Sequence, residues 1–382
     1  MFGSSRHAWI NVQVDTGADS DSVAINLYVQ EKGAHTVSTS TSVVGGEGCM
    51  ELAWVYRNML GGAEQVRSTF LVGHEQSNAV KLDLVKPYAL DTFKLHLRLF
   101  HNSQNFSKSS GYKDQREGLV LSAGRAHGPH VFSYELCRRS VEPAAGARRE
   151  AESDRSFKSA LQHTYVSDSR DDAVLPSAGR LLRATTELSG WFLGRYFWRH
   201  QTDAQLHVPL PLGATLSLSG SLGLLQALSG HKPFLSDRFF VGGPLSMRGF
   251  QPRGLGPADA EVRTVSAALG GDAFFVAGAA VSRRVPLPPG RDWGPLRALV
   301  SSGAVRVHAF ANAANCVRAR DGQSVVAEAA ARLLSGVRAA VGVGVAFATP
   351  LGRAELNLCR PVLHSPALGD RVAYFQAGLG SD

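Results

Sequence analysis

The sequence lacks the long apolar runs from which membrane-spanning helices form. None of its segments approaches about 18 uninterrupted apolar residues, the minimum for a helix that crosses a bilayer. Cysteine is also scarce, and the cysteines show neither a CxxC pair nor the spacing of a zinc site. These absences argue against a helical membrane protein and predict free thiols with no bound metal. The four thiols belong to Cys49, Cys137, Cys316 and Cys359.

Motifs for catalysis and nucleotide binding are absent too. The sequence contains no HExxH, GxSxG or Walker motif, and the pair Gly242-Gly243 does not lie between a strand and a helix, as a dinucleotide site requires. The basic residues behind the net charge of +8 are scattered, with no aromatic-rich RNA-binding motif among them. We therefore expect no enzymatic activity, no catalytic residues, no cofactor and no nucleic-acid partner. The charge favours acidic lipid headgroups or acidic client proteins.

A secretory signal is also missing. The first ten residues are polar and have no h-region. Because a bacterial outer-membrane protein needs such a signal, this absence favours a eukaryotic organelle.

What the sequence has in quantity is glycine, at 40 residues, and strict alternation of apolar with polar or small side chains. Every second residue from Val337 to Phe347 is apolar, with small residues or arginine between, and from Phe93 to Leu99 apolar residues alternate with basic ones. A period of two places the two sets on opposite faces of a strand. Such strands suit a barrel wall with lipid on one side and water on the other.

The alternating segments are longer than most soluble strands. They run about 9–13 residues, which suits tilted strands that cross the hydrocarbon layer. We therefore predict a 16-stranded antiparallel transmembrane β-barrel over residues 35–382. The predicted strands span 35–44, 48–58, 63–74, 78–86, 92–101, 117–125, 128–140, 156–167, 179–190, 196–208, 214–226, 272–285, 300–313, 335–348, 353–362 and 371–380.

The predicted connections alternate in length along the chain. Short turns at one end and long loops at the other are typical of outer-membrane barrels. Short turns are predicted at 60–62, 86–91, 209–213 and 350–352, and long loops at 102–117, 141–154, 231–269 and 316–334.

Residues 1–34 differ from the rest of the chain. Two short alternating runs within residues 9–30 flank a turn rich in Gly, Asp and Ser, which predicts a hairpin. A lone hairpin is marginally stable in water. We therefore interpret this segment as a partial or degenerate domain that precedes the barrel.

The longest predicted loop, about residues 227–270, is aromatic, glycine-rich and sparsely charged. This composition disfavours disorder, and loops of such length are usually functional when they are ordered. We expect the loop to bury its rings by folding back into the barrel lumen. Arg248 would then be partly desolvated and would need a fixed polar partner.

At this loop the sequence resembles the outer-membrane-protein assembly superfamily. The resemblance rests on three short motifs, Ser-Asp-Arg-Phe, Gly-Gly-Pro and Met-Arg-Gly-Phe, and it looks most like the mitochondrial branch. That branch is the core barrel of the sorting and assembly machinery (SAM), which is related to bacterial BamA. Shorter likenesses in the same order extend the resemblance from about residue 9 to the C-terminus, so residues 1–34 would be a remnant of the family's POTRA domain. The motif residues are Asp237, Arg238, Gly242, Gly243, Pro244, Arg248, Gly249 and Phe250.

The resemblance implies an insertase of the mitochondrial outer membrane. Its first and last barrel strands would form a lateral gate, where β-barrel precursor proteins add a strand by β-augmentation. Arg248 would pair with Asn312, which stands where bacterial relatives have an aspartate, or with Glu355. Accessory subunits of the sorting machinery and membrane lipids are the other expected partners. The gate positions are Val37, Ser40, Val43, Val372, Tyr374, Gln376 and Gly378.

Three alternatives remain open at this point. One is a porin-like passive channel, which would explain the strands and the polar lumen. Another is an assembly or secretion barrel of a chloroplast envelope or a bacterium. The third is a soluble all-β enzyme, which the strand lengths disfavour.

Overall fold

The chain forms two antiparallel sheets in a computed structural model, which describes residues 7–16, 23–31, 33–44, 47–89, 92–143, 154–228, 233–258, 268–285, 305–318, 331–349 and 352–380. A two-stranded hairpin, β1 (His7–Thr16) and β2 (Val23–Glu31), precedes a sheet of sixteen strands. The sixteen are β3 (His35–Val44), β4 (Glu47–Arg57), β5 (Gln65–Gly73), β6 (Asn78–Ala89), β7 (Phe93–Asn105), β8 (Tyr112–Arg125), β9 (His130–Pro143), β10 (Asp154–Asp168), β11 (Gly179–Ser189), β12 (Phe197–Leu210), β13 (Ala214–Ala227), β14 (Ala273–Arg284), β15 (Val305–Val317), β16 (Arg338–Thr349), β17 (Gly352–Leu363) and β18 (Phe375–Gly380).

Each strand from β3 to β18 pairs antiparallel with its neighbours along the chain. The two end strands approach each other, with Cα atoms of β3 and β18 within 8 Å. The predicted 16-stranded antiparallel β-barrel is therefore confirmed. Within the described ranges helical structure is confined to short segments such as α1 (Ser107–Ser110), and no helix there is long and apolar enough to cross a membrane.

The predicted alternation of faces appears in the accessibility of the strands. In β17, Glu355 and Asn357 are buried in the lumen, whereas Leu356 and Leu358, which alternate with them, are 45% and 61% exposed on the outside. Val341 and Val343 of β16 are exposed in the same way. An outer wall of exposed apolar side chains with polar residues inside is the reverse of a soluble core, and it fits a wall that faces lipid.

The strand bounds match the prediction within about five residues, and the last strand starts later than predicted. β18 begins at Phe375, not at residue 371, because residues 371–373 pair with a loop inside the barrel. The described part of β15 starts at Val305, and residues 300–304 of the predicted strand lie outside the described ranges.

The predicted contrast between short turns and long loops is only partly correct. The loop expected at 102–117 is mostly strand, since β7 continues to Asn105 and β8 starts at Tyr112. At the short-turn end, residues 169–178 form a longer connection that Arg306 of β15 holds, with hydrogen bonds to the carbonyl oxygens of Leu175 and Pro176. The loops predicted at 141–154 and 316–334 lie largely outside the described ranges.

The hairpin predicted within residues 9–30 is present as β1 and β2. Its assignment to a POTRA-like remnant over residues 1–34 stays a prediction.

Candidate functional site

The connection between β13 and β14, residues 228–272, is called loop 6, and the part of it that the structure describes lies in the barrel lumen. Its described residues, 233–258 and 268–272, pack apolar side chains against the inner wall of β12 to β16. Burial of these rings away from water is the main driving force for the inward fold of the loop. The loop contributes Phe239, Val241, Met247, Phe250 and Leu255 to this core, and the wall contributes Phe197, Leu225, Phe274, Ala314, Cys316 and Ala340.

The first polar anchor of loop 6 joins Asp237 to Arg139 of β9. Both side chains are buried, and one guanidinium nitrogen of Arg139 donates to both carboxylate oxygens of Asp237 at 2.7 Å. Burial raises the pKa of the Asp237 carboxyl, but the charges of Arg139 and Lys158 and the hydrogen bonds from Arg139 together hold the pKa below its ordinary value. The Arg139 guanidinium also stacks over the ring of Phe234 at 4.4 Å.

The second anchor joins Arg248 to Glu355 of β17. Two guanidinium nitrogens of Arg248 donate to the two oxygens of Glu355, at 2.8 and 2.9 Å. The Glu355 side chain is fully buried and also pairs with Arg353 and accepts from the Asn357 amide. A bidentate pair of this kind fixes both the distance and the orientation of the two groups.

The two predicted partners of Arg248, Glu355 and Asn312, differ in how the structure relates them to Arg248. Glu355 forms the bidentate pair, whereas Asn312 of β15 lines one cavity of about 100 Å³ together with Arg248. The ring of Phe310 lies 5.1 Å from the Arg248 guanidinium carbon.

The motif glycines of loop 6 have backbone conformations that other residues rarely adopt. Gly242, Gly243 and Gly249 have φ of +124°, +118° and +90°. A Cβ on Gly242 would lie 2.3 Å from the carbonyl oxygen of Gln251, so the chain has no room for a side chain there. The motif residue Arg238 is buried and donates to the carbonyl oxygen of Leu269, which ties the two ends of loop 6 together.

Loop 6 also contacts the last strand and the segment before it. Phe250 and Val372 form an antiparallel bridge, and the Ala373 N–H donates to the carbonyl oxygen of Gly249 at 2.9 Å. Gln376 bonds the loop backbone, and Gly378 lies against Pro244. Val372 therefore precedes β18 and pairs with the loop rather than with β17.

The seam between β3 and β18 has little backbone pairing. β18 pairs with β17 from Phe375 to Gly380 only, and no ladder joins it to β3 among the strand residues that the structure describes. Val37 of β3 and Tyr374 beside β18 are each 65% exposed. Ser40 and Val43 also lie on β3, and the side chain of Val43 is outside the described part of the chain.

The Asp237–Arg139 anchor was not anticipated from the sequence. Arg139 lies on the lumenal side of β9, as its alternation with exposed Arg138 indicates, but periodicity alone does not say which loop it meets. The hydrogen bonds of the Gln376 side chain to the backbone of loop 6 were not predicted either.

Comparison with known proteins places these features in context. A family model described as the Omp85 superfamily domain matches residues 58–382. The chain is 30% identical to sorting and assembly machinery component 50 homolog B of Xenopus laevis, over 97% of this chain and 79% of that protein. It is 29% identical to a SAM50-like protein of Schizosaccharomyces pombe, over 97% of this chain and 78% of that one.

Among solved structures, the chain is similar to BamA from Haemophilus ducreyi lacking POTRA domains 1–3. The TM-score is 0.77 at 17% sequence identity, and the match covers 99% of this chain and 76% of that one. CdiB from Acinetobacter baumannii is similar with a TM-score of 0.54 at 12% identity, over 98% of this chain and 66% of that one. At these identities the similarity concerns the fold.

Proposed function

Because the chain belongs to the Omp85 superfamily and, within it, to the SAM50-like proteins, we propose that it inserts and assembles β-barrel precursor proteins in the mitochondrial outer membrane. The precursor enters through a lateral gate at the seam between β3 and β18. Val37, Ser40 and Val43 line the gate on β3, and Gln376 and Gly378 line it on β18. Val372 and Tyr374 lie at the entry to β18 and take part in its movement.

The observation that carries the proposal is the weak pairing of this seam. Unpaired N–H and C=O groups of a strand edge are costly in lipid and readily accept another strand. Here β3 has a ladder only with β4, and β18 has a short ladder only with β17, within the described strands. An arriving precursor strand gains backbone hydrogen bonds at this edge that lipid does not supply.

The lumen supports an insertase over a passive channel. Loop 6 fills part of it with a packed apolar core, and Arg306 holds residues 169–178 across it from the other end. A porin keeps a polar, water-filled lumen for its solutes. Loop 6 and residues 169–178, each held inside the barrel by buried polar contacts, do not suit that task.

The named relatives support the mitochondrial branch over a chloroplast or bacterial one, since they are SAM50 proteins of a frog and a fission yeast. By the same relationship, we propose accessory subunits of the sorting and assembly machinery as partners, together with membrane lipids around the apolar wall.

Site-specific disulfide crosslinking tests the gate. Single cysteines replace Ser40 on β3 or Ala377 on β18, and Leu218→Cys on the outer face of β13 serves as the control. The four native cysteines are buried and are replaced by alanine in all variants. A radiolabelled β-barrel precursor with a cysteine in its last strand is then added to mitochondria that carry each variant as their only copy.

We expect precursor adducts at Ser40→Cys and Ala377→Cys and none at Leu218→Cys. A second variant carries both seam cysteines. If these crosslink only to each other while the precursor is imported at the normal rate, the gate is in the wrong place and the proposal fails.

A further inference from the structure

The last strand is supported on its lumenal face as well as at its edge. The side chain of Gln376 points into the barrel, is 7% exposed, and meets the backbone of loop 6. Its Oε1 accepts a hydrogen bond from the Gly249 N–H at 2.7 Å, and its Nε2 donates one to the carbonyl oxygen of Phe250 at 2.7 Å. We call these two bonds the Gln376 latch.

The chemistry of the latch is specific to a primary amide. A carboxamide carries a donor and an acceptor side by side, so it pairs with one N–H and one C=O of a backbone at the same time. Glutamate at this position keeps the acceptor but has no proton to donate when ionised. Leucine has a similar length but leaves both the Gly249 N–H and the Phe250 carbonyl without this partner, in a buried place where unpaired groups are costly.

The two next residues on the same face of β18 bring the loop into close contact. A Cβ on Gly378 would lie 2.8 Å from Cγ of Pro244, and a Cβ on Gly380 would lie 2.6 Å from Cδ1 of Leu245. The whole lumenal face of β18, from Gln376 to Gly380, therefore rests on loop 6 with no space between them.

The segment before β18 continues this support. The Gln251 N–H donates to the carbonyl oxygen of Arg371 at 2.9 Å, and the Arg371 N–H donates to the carbonyl oxygen of Gly254 at 2.7 Å. Residues 371–373 thus form a short strand-like pair with loop 6, and the Gln376 latch is where this pairing passes into the barrel wall.

The two sides of the seam are consequently held in different ways. β3 has one support within the described residues, its ladder with β4. β18 has a six-pair ladder with β17 and, in addition, loop 6 behind it. For β18 to leave the wall, its bonds to loop 6 must break together with its ladder.

We propose that Gln376 is a positioning residue that controls how readily β18 detaches, and hence how readily a precursor strand takes its place. The inference rests on the proposed function for its second part, the exchange with a precursor. Its first part, the hold of loop 6 on β18, is a property of the protein alone. The two parts have separate readouts.

The first readout is hydrogen–deuterium exchange of the purified full chain in detergent micelles. Gln376→Leu and Gln376→Glu are compared with the wild type and with Gln162→Leu, a lumen-facing glutamine of β10 on the far wall. Loss of two buried hydrogen bonds predicts about 10- to 100-fold faster exchange at residues 371–380 in Gln376→Leu. Gln376→Glu, which loses the donor only, is expected to show a smaller increase, and Gln162→Leu none in this segment.

The second readout is the rate of precursor adduct formation at Ser40→Cys in the same backgrounds. We expect adducts to form faster in Gln376→Leu than in Gln162→Leu. Heat-modifiable migration on gels establishes that each variant is folded, and Gln376→Glu serves as the milder variant if Gln376→Leu does not fold.

The outcomes separate the two parts. Unchanged exchange at residues 371–380 in both Gln376 variants overturns the latch. Faster exchange with an unchanged adduct rate overturns its role in precursor entry. Faster exchange with no adduct in any background, the wild type included, leaves the latch in place and overturns the proposed function instead.

Discussion

Replacement of Glu355 by alanine tests whether the pair with Arg248 holds loop 6 in the lumen. Glu355 is completely buried and is bonded to Arg248 through both carboxylate oxygens, with Arg353 and Asn357 as further partners. Its removal leaves the positive charge of Arg248, 13% exposed, without this counter-charge. Loss of one partner of a buried pair costs about 3–5 kcal/mol, and we expect a destabilisation of that size.

The measurement is the free energy of unfolding from urea titration of the folded barrel in detergent micelles. Glu117→Ala is the matched control, because Glu117 pairs with Arg138 and the two side chains are 43% and 64% exposed. Exposed pairs contribute about 1 kcal/mol or less. The double variant Arg248→Ala with Glu355→Ala should be less destabilised than the sum of the two single variants, by about 2 kcal/mol.

Two results would refute the reasoning. One is a cost for Glu355→Ala no larger than that for Glu117→Ala. The other is additivity of the two single substitutions, which would mean that Arg248 and Glu355 stabilise the barrel independently and that the bidentate pair does not anchor the loop.

Three further predictions concern loop 6 and residues 169–178 at the other end of the barrel. The depressed pKa of Asp237 gives the Arg139 anchor a pH dependence: its contribution is complete above the ordinary aspartate pKa of about 4 and is lost as pH falls through the lower folded value. Hydrogen exchange of loop 6 should thus rise below about pH 4, and Asp237→Asn should raise it already at neutral pH. Gly242→Ala should cost about 3 kcal/mol or more in urea titration, because of its φ of +124° and the absence of room for a Cβ. Gly213→Ala, at φ +69° with open space around it, should cost about 1 kcal/mol. Arg306→Ala should increase the ion conductance of the barrel in planar bilayers, since Arg306 holds residues 169–178 in the lumen, and an unchanged conductance would contradict that role.

The barrel wall was predictable because its signal is local. A period of two can be recognised within one segment, and it placed Val341 and Val343 on the face opposite to Ala340 without reference to any other strand. The loop motifs around Arg248 were also recognisable, since they combine glycines that require positive φ with a charge that requires a partner.

Pairings between distant segments were not predictable in the same way. Arg139 and Asp237 are 98 positions apart, and any lumenal acid would have satisfied the sequence pattern. The segment 371–373 has the composition of a strand, and it does pair as one. Its partner is the backbone of loop 6 rather than β17, and backbone hydrogen bonds carry no information about side chains that would reveal this choice.

The shortness of β18 nevertheless has a cause in the sequence. Alternate residues of an antiparallel strand direct their N–H groups to the same edge, and the Cys359 N–H donates to the carbonyl oxygen of Tyr374 on the β18 side. Two residues further along, the N–H directed to that edge would belong to Pro361, which has none, and the register of β17 against β16 shifts at the same place. Pro361 therefore lacks the donor that would extend the ladder between β17 and β18, and the ladder ends before this residue. The residues before Phe375 are released from the wall, and loop 6 supplies the backbone partners that β17 cannot. Pro361 thus ends one set of backbone hydrogen bonds at the place where loop 6 begins to supply another.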